Sequence, residues 1–359
     1  MKQPKPQIIH YIDNFHIGGA QTMLMETFYA INKHSKYQQV VYCRKSSQIA
    51  RNNSKSSSGI KVTNVKEKDF IQTITKHKPC VLIYHKLLRS DTSVYQKLFN
   101  VIPIIVVNHT FTKPQFKIKI HKCNYIVSVC RSMLTGMQKH KKRCRGKMVV
   151  IMNGVDFERY DKITPAVDNY DRKNTIVTGR INTFNKWKYS DGWVKWCATI
   201  DLPKKMVHDY IGSGSFLSQA RKYYKKIKNS RNDIIFRGFV TNFEEKVSII
   251  KTWDLFLYQI NEQEGLSVSV LEALASGVPV ICSDHYGNKE VIEKGVNGFI
   301  FKTKHHARDI LERLCNNPDE LKQLKKTTRE HFRDRLSSKR MSETYLKLIE
   351  SICYAKKWK

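Results

Sequence analysis

Two doubly wound α/β domains in series are what this sequence predicts, and three observations carry the prediction. Short runs rich in Val and Ile alternate with segments of helical periodicity, the pattern of a parallel sheet covered on both faces. The alternation pauses in the polar stretch DKITPAVDNYDRKN and then begins again at TIVTGRI. The chain has 359 residues, 41% of them hydrophobic and 11% aromatic, which exceeds one ordinary core and suits two. The expected division is residues 1–165, residues 166–337, and a helix with a basic tail over 338–359.

Taken in order, IIHYID is a buried strand, NFHIGGAQ a glycine loop and TMLMETFYAIN a helix with apolar residues at helical spacing. QQVVYC is the next strand, followed by the Ser-rich loop SSQIARNNSKSSSG. PCVLIYH, IPIIVVNH, NYIVSVC and VVIMNG complete the first series. The second runs through TIVTGRI, MVHDYIGSG, DIIFRGFV, WDLFLYQI and VPVICSD. SSKRMSETYLKLIESICYAKK is a long helix with its own apolar stripe.

Composition narrows the function classes. No run approaches the ~18 consecutive apolar residues of a membrane span. The N-terminus lacks a signal-type apolar core. Nine cysteines, an odd number, form no CxxC pair, which favours reduced thiols in a cytoplasmic compartment and disfavours zinc. The 64 Lys and Arg outnumber 31 Asp and Glu, for a net charge of +33. Such self-repulsion points to a polyanionic partner, with drift toward a Lys-rich composition as the bland alternative.

In doubly wound sheets, ligands sit beyond the carboxyl ends of the strands. The residues expected there are Gly18, Gly19, His85 and His109 in the first half, and Arg180, Gly212 and the NEQEG segment in the second. Glycines at such points let a phosphate approach backbone N–H groups, although a tight strand–helix turn needs them equally. IGSGSF begins like a dinucleotide fingerprint, but Leu217 stands where its last glycine belongs, which disfavours a nicotinamide enzyme. Arg180 ends a strand, with Lys186 and Lys188 close behind. Guanidinium and ammonium groups so placed can neutralise a diphosphate leaving group.

The pieces IGGAQ, NHT, IMNGVD, TGRINTFNK, YIGSGS, FRGFV and EGLSVSVLEALASGVPVICSD, in that order, resemble the retaining glycosyltransferases of family 4. The most specific is Glu264-Gly265…Glu272, two acids separated by seven residues. The resemblance implies the GT-B fold, two Rossmann-like domains facing each other across a cleft with the C-terminal helix crossing back to the first. It also implies a nucleotide-sugar donor of the UDP type as substrate, with no cofactor. By the same resemblance, Gly265, Leu266 and Ser267 open a helix whose amides meet the donor phosphates, and Gly18, Gly19 and Gly212 also line the donor. Glu264 contacts the sugar hydroxyls, and Glu272, roughly 12 Å along the helix, holds the ribose. Arg180 and Lys186 stabilise the departing diphosphate. Lys188 is the alternative, because Trp187 replaces the small residue usual after the lysine. His109 matches the histidine near the transferred sugar, or else is a buried structural ring. The sequence contains no Asp-x-Asp, so a carboxylate-held metal is not expected.

The positive charge is concentrated. Residues 92–155 contain no Asp or Glu, and 113–147 hold eleven Lys and Arg. Lys113, Lys117, Lys119, Lys141, Lys142 and Arg143 are the expected polyanion contacts. Two acceptors compete. Hydroxymethylated pyrimidine in DNA is favoured by the spread of charge through RKYYKKIKNSR and YAKKWK, as for a phage-encoded enzyme in its host. A lipid-linked or envelope glycan at an anionic membrane surface is the alternative.

Overall fold

The computed structural model describes residues 6–16, 18–47, 60–85, 98, 101–109, 123–138, 147–186, 188–260, 264–285 and 287–357. The chain divides into two compact units, residues 1–156 with 336–359, and residues 157–335.

Unit 1 is built on a parallel sheet of β1 (Gln7–Phe15), β2 (Gln38–Ser46), β3 (Val62–Asn64), β4 (Val81–Tyr84), β5 (Ile104–Asn108), β6 (Tyr125–Ser128) and β7 (Lys147–Val150), in the order β3-β2-β1-β4-β5-β6-β7. The order reverses between β1 and β4, the switch point where doubly wound sheets bind ligands. Helices α1 (Gly19–His34) and α2 (Glu67–Lys76) cover opposite faces. Ile9, Tyr11 and Leu82 pack with Phe70 and Ile74 of α2, while Ile12, Phe15 and Val41 pack with Leu24 of α1. A third helix, α3, spans Arg131–Gln138. The strands read as unbroken apolar runs because both faces are covered: every residue of β5, IIVVN, is buried.

Unit 2 opens with α4 (Phe157–Asp161). Its parallel sheet orders β10-β9-β8-β11-β12-β13, with the switch point between β8 (Thr175–Ile181) and β11 (Leu255–Tyr258). The remaining strands are β9 (Lys205–Ile211), β10 (Asp233–Gly238), β12 (Val280–Ser283) and β13 (Gly298–Phe301). The helices are α5 (Asp191–Thr199), α6 (Leu217–Lys225), α7 (Phe243–Ile250), α8 (Val268–Ala275), α9 (Lys304–Asn316) and α10 (Pro318–Phe332). Its core gathers Trp193, Phe184, Tyr210, Leu255 and Ile281. Burying each such side chain contributes roughly 1.5–3 kcal/mol.

The first boundary differs from the expectation. The units part after Asp156 rather than at 165, because 157–165 is held by the second unit. Phe157 packs on Phe332, Tyr160 packs on Phe243, and Lys251 Nζ donates to the carbonyls of Tyr160 and Ile163. Arg172 then ties the polar stretch to the sheet through Asp254 (2.8 Å) and the Thr252 carbonyl (2.6 Å). The closing helix α11 (Ser338–Lys357) packs on α1 of unit 1, and Thr27 Oγ1 and the Gly154 amide both reach Met341 Sδ. Strands β3 and β13, three and four residues long, have no counterpart in the expected list.

No helix among the described residues is long and apolar enough to cross a membrane.

Candidate functional site

Arg180 lies near the end of β8, beside the switch point of unit 2, and is 2% exposed. Its Nη2 donates to the carbonyls of Lys188 (2.8 Å) and Gln259 (2.6 Å), so one guanidinium ties the loop after β8 to the loop after β11. The plane stands 5.2 Å from the Tyr258 ring centroid and 5.9 Å from that of Tyr210. Its Nε is buried with no acceptor among the described residues.

A turn at Asn185 reverses the chain after β8. The Asn185 carbonyl accepts from the amides of Lys188 and Tyr189, and its side chain accepts from Lys188 N (3.0 Å). Lys188 Nζ is thereby delivered to Glu264 Oε1, while Tyr258 OH donates to Glu264 Oε2 at 2.8 Å. Both carboxylate oxygens of Glu264 are thus engaged. Burial works against the Lys188 ammonium, but Tyr258 and Glu264 more than offset it and its pKa is raised. Burial, and then the Glu264 charge, raises the Tyr258 hydroxyl as well. Lys186 is exposed on the turn. Of the two candidate lysines, Lys188 is the one that meets Glu264.

The segment Gly265–Ser267 precedes the helix instead of opening it: α8 begins at Val268, with Ser267 as its N-cap and no side-chain cap hydrogen bond. Leu266 is buried, and the Ser267 amide donates to Asn288 Oδ1 (3.1 Å). Gly287 backs this turn, and a Cβ there would fall 2.4 Å from the Gly265 carbonyl. Glu272 lies in the buried body of α8 and accepts from Lys246 Nζ of α7 at 2.6 Å.

Gly212 follows β9 at φ +145°, and a Cβ there would fall 1.9 Å from the Asn182 carbonyl. The close approach of a neighbouring loop therefore accounts for this glycine without any phosphate.

In unit 1, Gly18 caps α1, and its carbonyl accepts from Thr22 N (3.0 Å); Gly19 is the first helical residue. His109 follows β5, and its Nε2 lies 3.3 Å from His85 Nδ1. Burial lowers its pKa to about 4. His85 Nε2 lies in turn 3.1 Å from His10 Nδ1. Lys113, Lys117, Lys119, Lys141, Lys142 and Arg143 lie outside the described residues.

Lys246, Tyr258 and His10 were not singled out by sequence. Lys246 and Tyr258 sit in ordinary helix and strand patterns that carry no signal of their own. For His10 there was one, a histidine inside a strand otherwise apolar over IIHYI.

Residues 164–331, within the second unit, match the family described as Glycosyl transferases group 1. An uncharacterized glycosyltransferase of Methanocaldococcus jannaschii is 26% identical over 219 residues, 59% of this chain and 54% of that protein. The UDP-Gal:alpha-D-GlcNAc-diphosphoundecaprenol alpha-1,3-galactosyltransferase of Escherichia coli is 25% identical over 167 residues, 44% of this chain and 41% of that protein. The chain thus spans about half the length of the curated relatives it matches. The crystal structure of Anabaena HepE in complex with UDP-glucose shares the fold at a TM-score of 0.77 and 14% identity, covering 96% of this chain and 99% of that one. The architecture is accordingly that of the GT-B glycosyltransferases, two parallel-sheet Rossmann-like domains.

Proposed function

We propose that the chain is a retaining glycosyltransferase that moves a sugar from a UDP-sugar to a hydroxyl of a phosphate-bearing acceptor. The observation that carries this is the cluster at the unit 2 switch point, where Arg180, Lys188, Glu264 and Tyr258 converge inside the matched domain. Its two cations against one carboxylate leave a net positive site, suited to charge that grows on a departing diphosphate. Exchanging the Lys188–Glu264 contact for phosphate and sugar hydroxyls would free both side chains for the donor, with no metal required. Lys186 is retained as a third cation for the diphosphate. Gly265, Leu266 and Ser267 would offer amides, and Glu272, held by Lys246, would take the ribose.

The +33 charge supports a phosphate-bearing acceptor. Lys222, Lys225, Lys226 and Lys228 are all exposed on and just after α6, a stripe that fits phosphates. A lipid-linked glycan carrying a diphosphate meets that requirement and agrees with the acceptor named for the Escherichia coli relative. Hydroxymethylated DNA is the second reading, favoured by the same charge.

The test is nucleotide release from a panel of sugar nucleotides, with diphospholipid-linked glycans in anionic vesicles or with hydroxymethylated duplex. Release should require a UDP-sugar and one of these acceptors. Arg180→Ala should lower turnover by about 10²–10³-fold, the loss seen when one charge-stabilising donor is removed. Unchanged turnover in both Arg180→Ala and Glu272→Ala would place the chemistry elsewhere.

A further inference from the structure

Four side chains form one row across adjacent strands of unit 1. Gln39 lies on β2, His10 on β1, His85 directly after β4 and His109 directly after β5, and β2-β1-β4-β5 is the sheet order. His10 and His85 stack at 5.4 Å between centroids with planes 22° apart, and His85 and His109 at 5.6 Å and 13°. Their nitrogens are linked end to end: Gln39 Oε1 to His10 Nε2 at 2.9 Å, His10 Nδ1 to His85 Nε2 at 3.1 Å, His85 Nδ1 to His109 Nε2 at 3.3 Å.

The direction of every proton in this row follows from its far end. Gln39 Nε2 donates to the Phe28 carbonyl at 3.0 Å, and a carbonyl can only accept. The amide must therefore face Phe28 with its NH₂ and His10 with its oxygen. That oxygen also only accepts, so His10 carries its proton on Nε2 and leaves Nδ1 as a lone pair. A neutral imidazole has one of each. His85 must then donate from Nε2, and its Nδ1 is in turn a lone pair. His109 donates from Nε2 to His85, and its own Nδ1 remains an acceptor. His10 and His85 are fully buried, and burial lowers the pKa of all three rings, His10 and His109 to about 4, which keeps the rings neutral.

We propose that Gln39, His10 and His85 are positioning residues that set the tautomer of His109, so that it meets a substrate hydroxyl as a hydrogen-bond acceptor at Nδ1. This rests on the sugar-transfer reading only for the identity of the hydroxyl; the proton order stands on the geometry. A row of this kind transmits a choice made at Gln39, three links away from His109. None of the three need touch substrate.

Two substitutions of opposite polarity at Gln39 test it. Glu at this position presents an acceptor oxygen to His10 whether ionised or protonated, a protonated oxygen serving the Phe28 carbonyl, and preserves the order. Lys can only donate, satisfying the Phe28 carbonyl and His10 Nε2 together, and should reverse every tautomer down to His109. Long-range ¹H–¹⁵N correlation spectra of histidine-labelled full-length protein at neutral pH read the tautomers directly. Wild type and Gln39→Glu should show Nε2–H at His10, His85 and His109, and Gln39→Lys should show Nδ1–H at all three. In kinetics, Gln39→Lys should lower kcat about tenfold below Gln39→Glu, the equivalent of one lost hydrogen bond. An Nδ1–H tautomer at His109 in the wild type would overturn the proposal. So would a Gln39→Lys spectrum that keeps Nε2–H there, or a reversed tautomer with turnover equal to that of Gln39→Glu. Absence of sugar transfer in the wild type itself would instead remove the sugar-transfer reading and leave the tautomer result to stand on the spectra.

Discussion

The two units solve the same problem, polar groups buried at a switch point, in opposite ways. Unit 1 holds a row of uncharged rings linked by neutral hydrogen bonds. Unit 2 holds charges, with Lys188 on Glu264 and Lys246 on Glu272, and Arg180 between two carbonyls. A neutral row can fix direction, because each ring has one donor and one acceptor. Paired charges cannot encode direction, but they are already poised to exchange a protein partner for an anionic ligand. The difference teaches that burial by itself does not decide whether a site is charged. What decides is whether a counter-charge reaches it.

The contrast is broken most forcefully by acid. His10 and His109 titrate at about 4 in the folded chain against an ordinary 6.5, and His85 is lowered too. As pH falls below 6.5 the unfolded chain binds protons that the folded chain refuses. Stability therefore declines from about pH 6.5 toward 4, by up to on the order of 3 kcal/mol for His10 alone. Unit 2 contains one such ring, His208 at about 3, so the acid loss should fall more heavily on unit 1. Amide hydrogen exchange along β1, β4 and β5, compared at pH 7 and pH 5, reads this loss. His10→Phe should flatten it, and an undiminished slope would show that the row is not its source. Lys188 behaves in the opposite sense. Its raised pKa contributes stability that is intact below the unfolded value and is lost as pH rises through the folded one.

A smaller effect sharpens the charged side. Lys246→Met leaves Glu272, only 7% exposed at its side chain, without its ammonium. Because Lys246 is itself partly exposed, the cost should be about 1–2 kcal/mol, below that of a fully buried pair. Urea unfolding followed by tryptophan fluorescence reports mainly on unit 2, which contains four of the five tryptophans, Trp187, Trp193, Trp196 and Trp253. A double-mutant cycle with Glu272→Gln should recover most of that energy as coupling. Coupling near zero would make the pair no more than a surface contact.

The smallest effect concerns Ser267. N-cap serines usually contribute about 1 kcal/mol through a hydrogen bond to the first turn. Ser267 makes none, but its buried Oγ lies 3.0 Å from Ser269 Oγ, so Ser267→Ala should cost about 0.5–1.5 kcal/mol in the same unfolding experiment, the net worth of that one hydrogen bond. No loss would mean that the Ser267–Ser269 contact contributes nothing to stability.

Most of the fold was legible because local pattern carried it. Unbroken Val/Ile runs announced both-sided burial, and the polar stretch 161–174 announced the change of unit. Its exact edge was not legible, since the contacts of Phe157 and Tyr160 are made with residues far along the chain. Edge strand β3, VTN, is short and mostly polar, and β13, GFIF, opens on a glycine, so neither raised a pattern of its own. In the candidate site, Arg180 and the spaced pair Glu264 and Glu272 stood out in sequence. Lys246 and Tyr258 did not, because nothing local marks a lysine on a helix or a tyrosine in a strand as the partner of a distant acid.

By itself the sequence determined what depends on short spans: the strands and helices, the glycines after strands, the two acids with seven residues between them, and the excess of positive charge. Only the tertiary structure decided the pairings. Lys188 and Glu264 are 76 residues apart and His10 and His85 are 75 apart; the order of strands in each sheet brings them within hydrogen-bond reach. Local propensity is a sum over neighbours in the chain, whereas a hydrogen bond is a distance in space, and strand order converts the one into the other.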